Sequence, residues 1–262
     1  MILEKFPNLK ALILDMDGVL WQDTEAIGNL PAIFERIENL GLKVVLATNN
    51  ATRNVDEYIQ KLAGFGVSLG KEKIITSSQA TGAYLADHFP QNSPIYVLGT
   101  DSLKATLAGY GFQHSDADTL PVAVVVGLDR HITYAKLVKA NAFVRQGALL
   151  IGTNPDVTYP TPSGLQPGAG TIVKAVETAS ETEALIIGKP KPELFNIAMH
   201  RMQVQPHETL AVGDRLETDI AAAQSVGCRS ALVLSGSSTL EQARRWSPQP
   251  DLIANDLEAL LF

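Results

Sequence analysis

Two aspartates one residue apart, Asp15 and Asp17, directly follow the apolar run Ala11-Leu12-Ile13-Leu14 and precede Gly18. Residues i and i+2 share a face, so both acids can serve one space if the chain turns sharply after the strand. Gly18 permits such a turn. Two crowded carboxylates repel, and a divalent cation or a shared proton would relieve them. Later in the chain come Thr48-Asn49-Asn50, Gly188-Lys189-Pro190, Gly213-Asp214 and then Asp219. The chemistry that suits this set is phosphoryl transfer, in which catalysis is mainly positioning plus charge stabilisation. Asp15 can be the nucleophile that forms an aspartyl phosphate. Asp15, the backbone carbonyl of Asp17 and Asp214 could ligate Mg²⁺, with Asp219 ordering metal-bound water. The Thr48 hydroxyl and the N–H groups that follow it can donate to phosphate oxygens. Lys189 brings positive charge to the nucleophile and the phosphate.

Each member also has a plainer reading. Thr48-Asn49-Asn50 could be a turn or a helix cap. Lys189 could be a solvated loop lysine, as Lys191 is expected to be. Gly213-Asp214 is a common strand-to-turn dipeptide, and Asp219 could merely pair with Arg215 on a helix. Their joint order at successive strand ends favours the catalytic reading.

The elements that must position these residues alternate, short β runs with helical patterns, which predicts βαβ units and a parallel sheet. Ligands of such sheets bind beyond the carboxyl ends of the strands. Strands are expected at 11–14, 43–47, 74–75, 184–187, 210–212 and 231–234. Helices are expected at 31–40, 54–62, 192–202, 218–225, 239–246 and 257–261, with one capped by Ser77 or Ser78 and running towards Phe89. A second series starts at the proline-flanked stretch 90–94, a plausible hinge. It has strands at 95–98, 122–126 and 149–151 and helices at 102–108, 133–145 and 171–179. Residues 154–170, rich in Pro and Gly, read as a long irregular loop.

The 262 residues are 45% hydrophobic and 19% charged, enough to build a sizeable core. A net charge of -7 without a basic cluster argues against a nucleic-acid partner. Cys228 is the single cysteine, which excludes intrachain disulfides and thiolate metal sites, and it reads as a core hydrophobe. No apolar run is long enough for a signal peptide or a membrane span, so a cytoplasmic protein is expected. The five histidines fall in no motif.

Asp15-Met16-Asp17-Gly18-Val19-Leu20, Thr48-Asn49-Asn50, Gly188-Lys189-Pro190-Lys191-Pro192 and Gly213-Asp214-Arg215-Leu216-Glu217-Thr218-Asp219 resemble the four motifs of the haloacid dehalogenase (HAD) superfamily of phosphatases. The spacing looks like its NagD-like, 4-nitrophenylphosphatase branch, and the resemblance spans the chain without a departure in the motifs. It implies a Rossmann-like α/β core (1–89 and 183–262) with a parallel sheet and an inserted α/β cap domain (90–182). It implies Asp15 as nucleophile, Asp17 as general acid/base, and Thr48, Asn49 and Lys189 as phosphate contacts. Asp214 and Asp219 fall on the metal side. Asp rather than Thr at position 17 implies a phosphatase, because ATPase members carry Thr there. Caps of this branch often take part in homodimers. Pro167-Gly168-Ala169-Gly170-Thr171 resembles a cap stretch that could be a second anion site at a helix N-terminus, or simply a glycine turn. Trp21 could line the mouth of the site or pack a flap.

The expected activity is Mg²⁺-dependent hydrolysis of a small soluble phosphomonoester: a sugar phosphate, a nucleoside monophosphate, phosphoglycolate, pyridoxal phosphate or p-nitrophenyl phosphate. The main rival is a receiver-type signalling domain, which also phosphorylates an aspartate near a Thr and a Lys. A receiver needs neither an acid for a leaving group nor a lid. A non-catalytic nucleotide-binding module would leave Asp15 unexplained.

Overall fold

A computed structural model of the chain describes residues 2–117, 119–161 and 164–262. It divides into two compact units.

The first unit comprises the residues up to Thr48, Val55–Ile75 and Lys189–Phe262. Its centre is a six-stranded sheet in the order Leu252–Ala254, Arg229–Val233, Thr209–Gly213, Ala11–Leu14, Lys43–Thr48, Ile74–Thr76. Ala11–Leu14 runs parallel to both of its neighbours, pairing Leu14 with Val212 on one side and with Leu46 on the other. All four of its residues are buried, which explains a run without polar alternation. Leu12 and Leu14 face a core shared with Val44, Leu46, Leu210 and Val212. Ile33 and Ile37 of the helix Leu30–Asn39, and Tyr58 and Leu62 of Val55–Gly64, fill the same core. Truncating Leu12 to Ala would cost about 2–5 kcal/mol. The strand Leu252–Ala254, the small antiparallel pair Trp21–Gln22 with Glu25–Ala26 and the short helix Ile2–Lys5 were not expected.

The second unit comprises Asn49–Asn54 and Thr76–Gly188, so the stretch 90–94 lies inside it. Its sheet has four parallel strands in the order Leu185–Ile186, Leu149–Gly152, Ala123–Val126, Ile95–Leu98. Crossover helices Asp101–Gly109, Tyr134–Arg145 and Ala169–Ser180 connect them, the first two capped by Thr100 and Thr133. Three expectations are corrected in this unit. The run 184–187 does not resume the first sheet, because Leu185 and Ile186 pair with Ile151 and Gly152. The irregular loop contains an antiparallel pair, Thr158–Thr161 with Gly164–Pro167. The helix Ser77–His88 is capped by Thr76 rather than by either serine, through a capping box with Gln79. Among the described residues no helix is long and apolar enough to cross a membrane.

Candidate active site

Asp15 is the first residue beyond the central strand Ala11–Leu14, and its backbone N–H still donates to Val212 O at 2.9 Å. Asp214 follows the adjacent strand Thr209–Gly213. Asp219 is brought back to the same edge by a wide π-helical turn, Leu216–Ile220, where sequence periodicity suggested an ordinary helix from 218. Such turns are uncommon and concentrate at functional sites. The turn lets Asp219 Oδ2 accept from the Arg215 backbone N–H at 3.1 Å, so it is the main chain of Arg215 that Asp219 engages. Carboxylate oxygens of Asp15, Asp214 and Asp219 all lie within 4.8 Å of one another.

Lys189 closes this cluster. It is 2% exposed, which rules out a solvated loop lysine. Its Nζ donates to Asp15 Oδ1 at 2.6 Å, to Asp219 Oδ1 at 2.6 Å and to Ala47 O at 2.9 Å. Three acceptors match the three N–H bonds of an ammonium. Burial works against the Lys189 charge, but Asp15 and Asp219 outweigh it and hold its pKa above the usual lysine value. Burial is also the largest influence on Asp15 and pushes its carboxyl well above the usual range. Lys189 opposes that shift, while Asp219 and Asp214 add to it. Burial and Asp219 push Asp214 up to about 6, against the pull of the Ser237 N–H.

Lys189 pairs with the half-buried Asp15 and the buried Asp219, and Arg215 eases Asp214, yet three carboxylates in one place still repel and hold the Asp15 and Asp214 carboxyls up. The donors are hard oxygens, and a small divalent cation such as Mg²⁺ fits them by charge and chemistry. The Asp17 carboxylate stands outside this trio: it is exposed, and its Oδ1 accepts from Trp21 Nε1 at 2.8 Å.

Sequence reasoning missed the loop that fixes Asp214. The Ser237 N–H donates to Asp214 Oδ2 at 2.6 Å, and the Ser238 N–H donates to Asp214 O at 3.0 Å. Ser235 Oγ donates to Gly18 O at 2.7 Å, tying this loop to the turn after Asp15. A Cβ on Gly236 would stand 2.1 Å from Asp214 Oδ2, so only glycine allows the approach. Gly18 has φ +87 and would meet the same oxygen at 2.6 Å. The signal was a Ser/Gly run at the end of a strand, Ser235-Gly236-Ser237-Ser238.

Thr48 is buried at the end of Lys43–Thr48 in the first unit. Asn49 and Asn50 belong to the second unit. There Asn49 Nδ2 donates to Asp156 Oδ2 at 3.3 Å, and Asn50 Oδ1 accepts from the N–H (3.0 Å) and Oγ1 (2.7 Å) of Thr52. The N-terminus of Ala169–Ser180 is not an open anion site. Gly168 N–H donates to Val157 O at 2.8 Å and Gly170 N–H to Asp156 O at 2.9 Å, so carbonyls take donors that an anion would use.

A parallel α/β sheet that gathers acids and one lysine beyond its strand ends defines a class, the Rossmann-like enzymes that handle phosphate through carboxylates. A model of haloacid dehalogenase-like hydrolases matches residues 12–113, and a HAD-hydrolase-like model matches 186–260. Glycerol-3-phosphate phosphatase of Gallus gallus is 37% identical, over 90% of this chain and 83% of that protein. The crystal structure of a 4-nitrophenylphosphatase from Thermotoga maritima superposes with a TM-score of 0.91 at 31% identity, covering 100% of this chain and 98% of that one. A glycerol phosphate phosphatase from Mycobacterium tuberculosis, solved in complex with magnesium, gives 0.89 at 31% identity, covering 98% and 77%. The chain belongs to the haloacid dehalogenase-like hydrolases, in the NagD-like, 4-nitrophenylphosphatase branch, and is a phosphatase. Nothing in these likenesses favours a receiver domain.

Proposed function

We propose that this enzyme hydrolyses the phosphomonoester of a small polyol or sugar, with glycerol 3-phosphate as the first compound to try and p-nitrophenyl phosphate as a surrogate. The observation that carries the phosphoryl chemistry is Lys189 bridging Asp15 and Asp219 at 2.6 Å each, beside Asp214, and the choice of alcohol follows the glycerol-3-phosphate and acid sugar phosphatases that the chain resembles. Mg²⁺ would be held by carboxylates of Asp15, Asp214 and Asp219 and the backbone carbonyl of Asp17, supplying charge neutralisation for the phosphoryl oxygens. Lys189 favours the ionised, nucleophilic form of Asp15 against burial and the neighbouring carboxylates, and a bound Mg²⁺ would favour it further. The Asp15 carboxylate attacks phosphorus, and an aspartyl phosphate forms as the ester oxygen leaves. Asp17 gives that oxygen a proton and then takes one from the water that attacks the aspartyl phosphate. Thr48 Oγ1, the N–H groups of Asn49 and Asn50, and Lys189 Nζ donate to the phosphoryl oxygens.

The second unit acts as the cap that selects the leaving group. Tyr134 and Val138, exposed one turn apart on the helix Tyr134–Arg145, are apolar side chains that a homodimer would cover, and sedimentation velocity reads that state directly.

The test is hydrolysis of both esters with EDTA, Mg²⁺ or Ca²⁺. EDTA should abolish turnover and Mg²⁺ restore it, whereas Ca²⁺ should serve poorly because it takes more ligands in looser geometry. Full activity in excess chelator would remove the proposal.

A further inference from the structure

Trp21 is fully buried, yet its indole N–H reaches an exposed carboxylate, Asp17 Oδ1, at 2.8 Å. The ring is boxed in. It stacks on Tyr58 with centroids 6.4 Å apart and on Phe65 at 6.0 Å, and Lys61 Nζ lies 4.1 Å over its centroid. Lys61 Nζ also donates to Asp23 O at 2.7 Å, which anchors the ribbon that Trp21 begins. The backbone is closed as well, because Gly18 N–H donates to Trp21 O at 2.7 Å and Trp21 N–H to Met16 O at 3.3 Å. A cation over an indole face is attracted to it, which helps hold the ring in place.

An indole N–H donates and cannot accept. A protonated Oδ1 is the poorer acceptor, so the bond favours Asp17 with its proton on Oδ2. We propose that Trp21 is a positioning residue that ties Oδ1 of Asp17 and reserves Oδ2 for proton transfer with the substrate. This rests on the acid–base role of Asp17 given above. As the phosphorus–oxygen bond of the ester breaks, its electron pair stays on the leaving oxygen, and the proton on Oδ2 moves to that oxygen. In the second half, Oδ2 takes the proton of the attacking water while the bond between Asp15 and phosphorus breaks. Without the indole N–H, Asp17 is an exposed side chain free to rotate, and its productive orientation becomes one among several.

Trp21→Phe keeps the ring stack and deletes the donor. It should lower kcat/KM, which reports the half-reaction that releases the ester oxygen, about 10-fold on glycerol 3-phosphate, a part of the about 10²–10⁴ available to general acid–base assistance. It should lower kcat/KM far less on p-nitrophenyl phosphate, whose leaving group needs little protonation. In an Asp17→Asn background it should cause no further loss. Equal losses on the two esters, or the same loss in both backgrounds, would overturn the proposal. If Asp17→Asn itself hits both esters equally, the acid–base reading of Asp17 fails and takes this inference with it. A spectroscopic arm needs no substitution of Trp21. The chain has two tryptophans, and the Trp246 indole N–H donates to Gln224 Oε1 at 3.2 Å. In Asp17→Ala the Trp21 indole N–H resonance should move and that of Trp246 should stay. A Trp21 resonance that does not move would contradict the hydrogen bond.

Discussion

Both units carry an acid–lysine pair near the carboxyl end of a parallel strand, and the two pairs differ in stoichiometry. In the second unit, Asp129 follows Ala123–Val126. Its Oδ2 accepts from Lys136 Nζ at 2.7 Å and its Oδ1 from the His131 N–H at 2.8 Å. One acid meets one lysine, and the acid's second oxygen is satisfied by the backbone. In the first unit, Lys189 meets Asp15 and Asp219, and Asp214 stands beside them. The first pattern is a closed ion pair that fastens a loop. The second is an open one, three carboxylates crowded beside one lysine, with those of Asp15 and Asp214 pushed up by burial and by their neighbours. Crowded carboxylates are costly unless a ligand answers them, and this crowding separates the cluster from the closed pair.

The largest test of the contrast is Lys189→Met. On the proposed mechanism it removes a cation from the nucleophile and the phosphoryl group, and kcat on p-nitrophenyl phosphate should fall by about 10²–10³. A loss confined to KM would show Lys189 to be a binding group only. Next is Gly236→Ala, which keeps every charge and displaces Asp214, since the added Cβ would stand 2.1 Å from Oδ2. Mg²⁺ affinity should fall by about 10–100-fold, with much of kcat recovered at saturating metal. Calorimetric titration with Mg²⁺ reads this.

The pH dependence of that titration follows from Asp214, whose carboxyl is pushed up to about 6 in the metal-free protein. A proton held there must leave before the oxygen can ligate. Affinity should weaken as pH falls below that value, by up to about tenfold per pH unit for each displaced proton, and Asp15, whose carboxyl is also pushed up, adds a proton of its own. A midpoint near the ordinary carboxylate value would mean that Asp214 is not a ligand. The smallest effect belongs to the closed pair. Lys136→Met should leave turnover of p-nitrophenyl phosphate unchanged and cost about 1–3 kcal/mol in thermal unfolding, because Asp129 keeps its backbone donor. A kinetic defect there would break the distinction between the pairs.

Much of this was legible in the sequence because it rests on local signals. The apolar run Ala11–Leu14, the βα alternation and the strand-end positions of Asp15 and Asp214 follow from burial on both faces of a parallel sheet. What escaped depends on pairing across the chain. Nothing in Leu185 and Ile186 says which sheet they join, since a two-residue strand carries no register of its own. The π-helical turn at Leu216–Ile220 has the composition of an ordinary helix, and only the position of Asp219 reveals it. The hairpin within 154–170 was hidden by prolines that are tolerated on a two-stranded ribbon. Trp21 left two readings open, and only coordinates could show its indole N–H on Asp17.

The measurement that bears most directly on the open cluster is the identity of the phosphorylated residue. Wild-type enzyme mixed with p-nitrophenyl phosphate and Mg²⁺ is quenched in acid within milliseconds, digested and read by mass spectrometry. Phosphate should be found on the peptide at Asp15, and Asp15→Asn should carry none and lose turnover almost completely. Phosphate on any other residue, or turnover surviving in Asp15→Asn, would contradict the account.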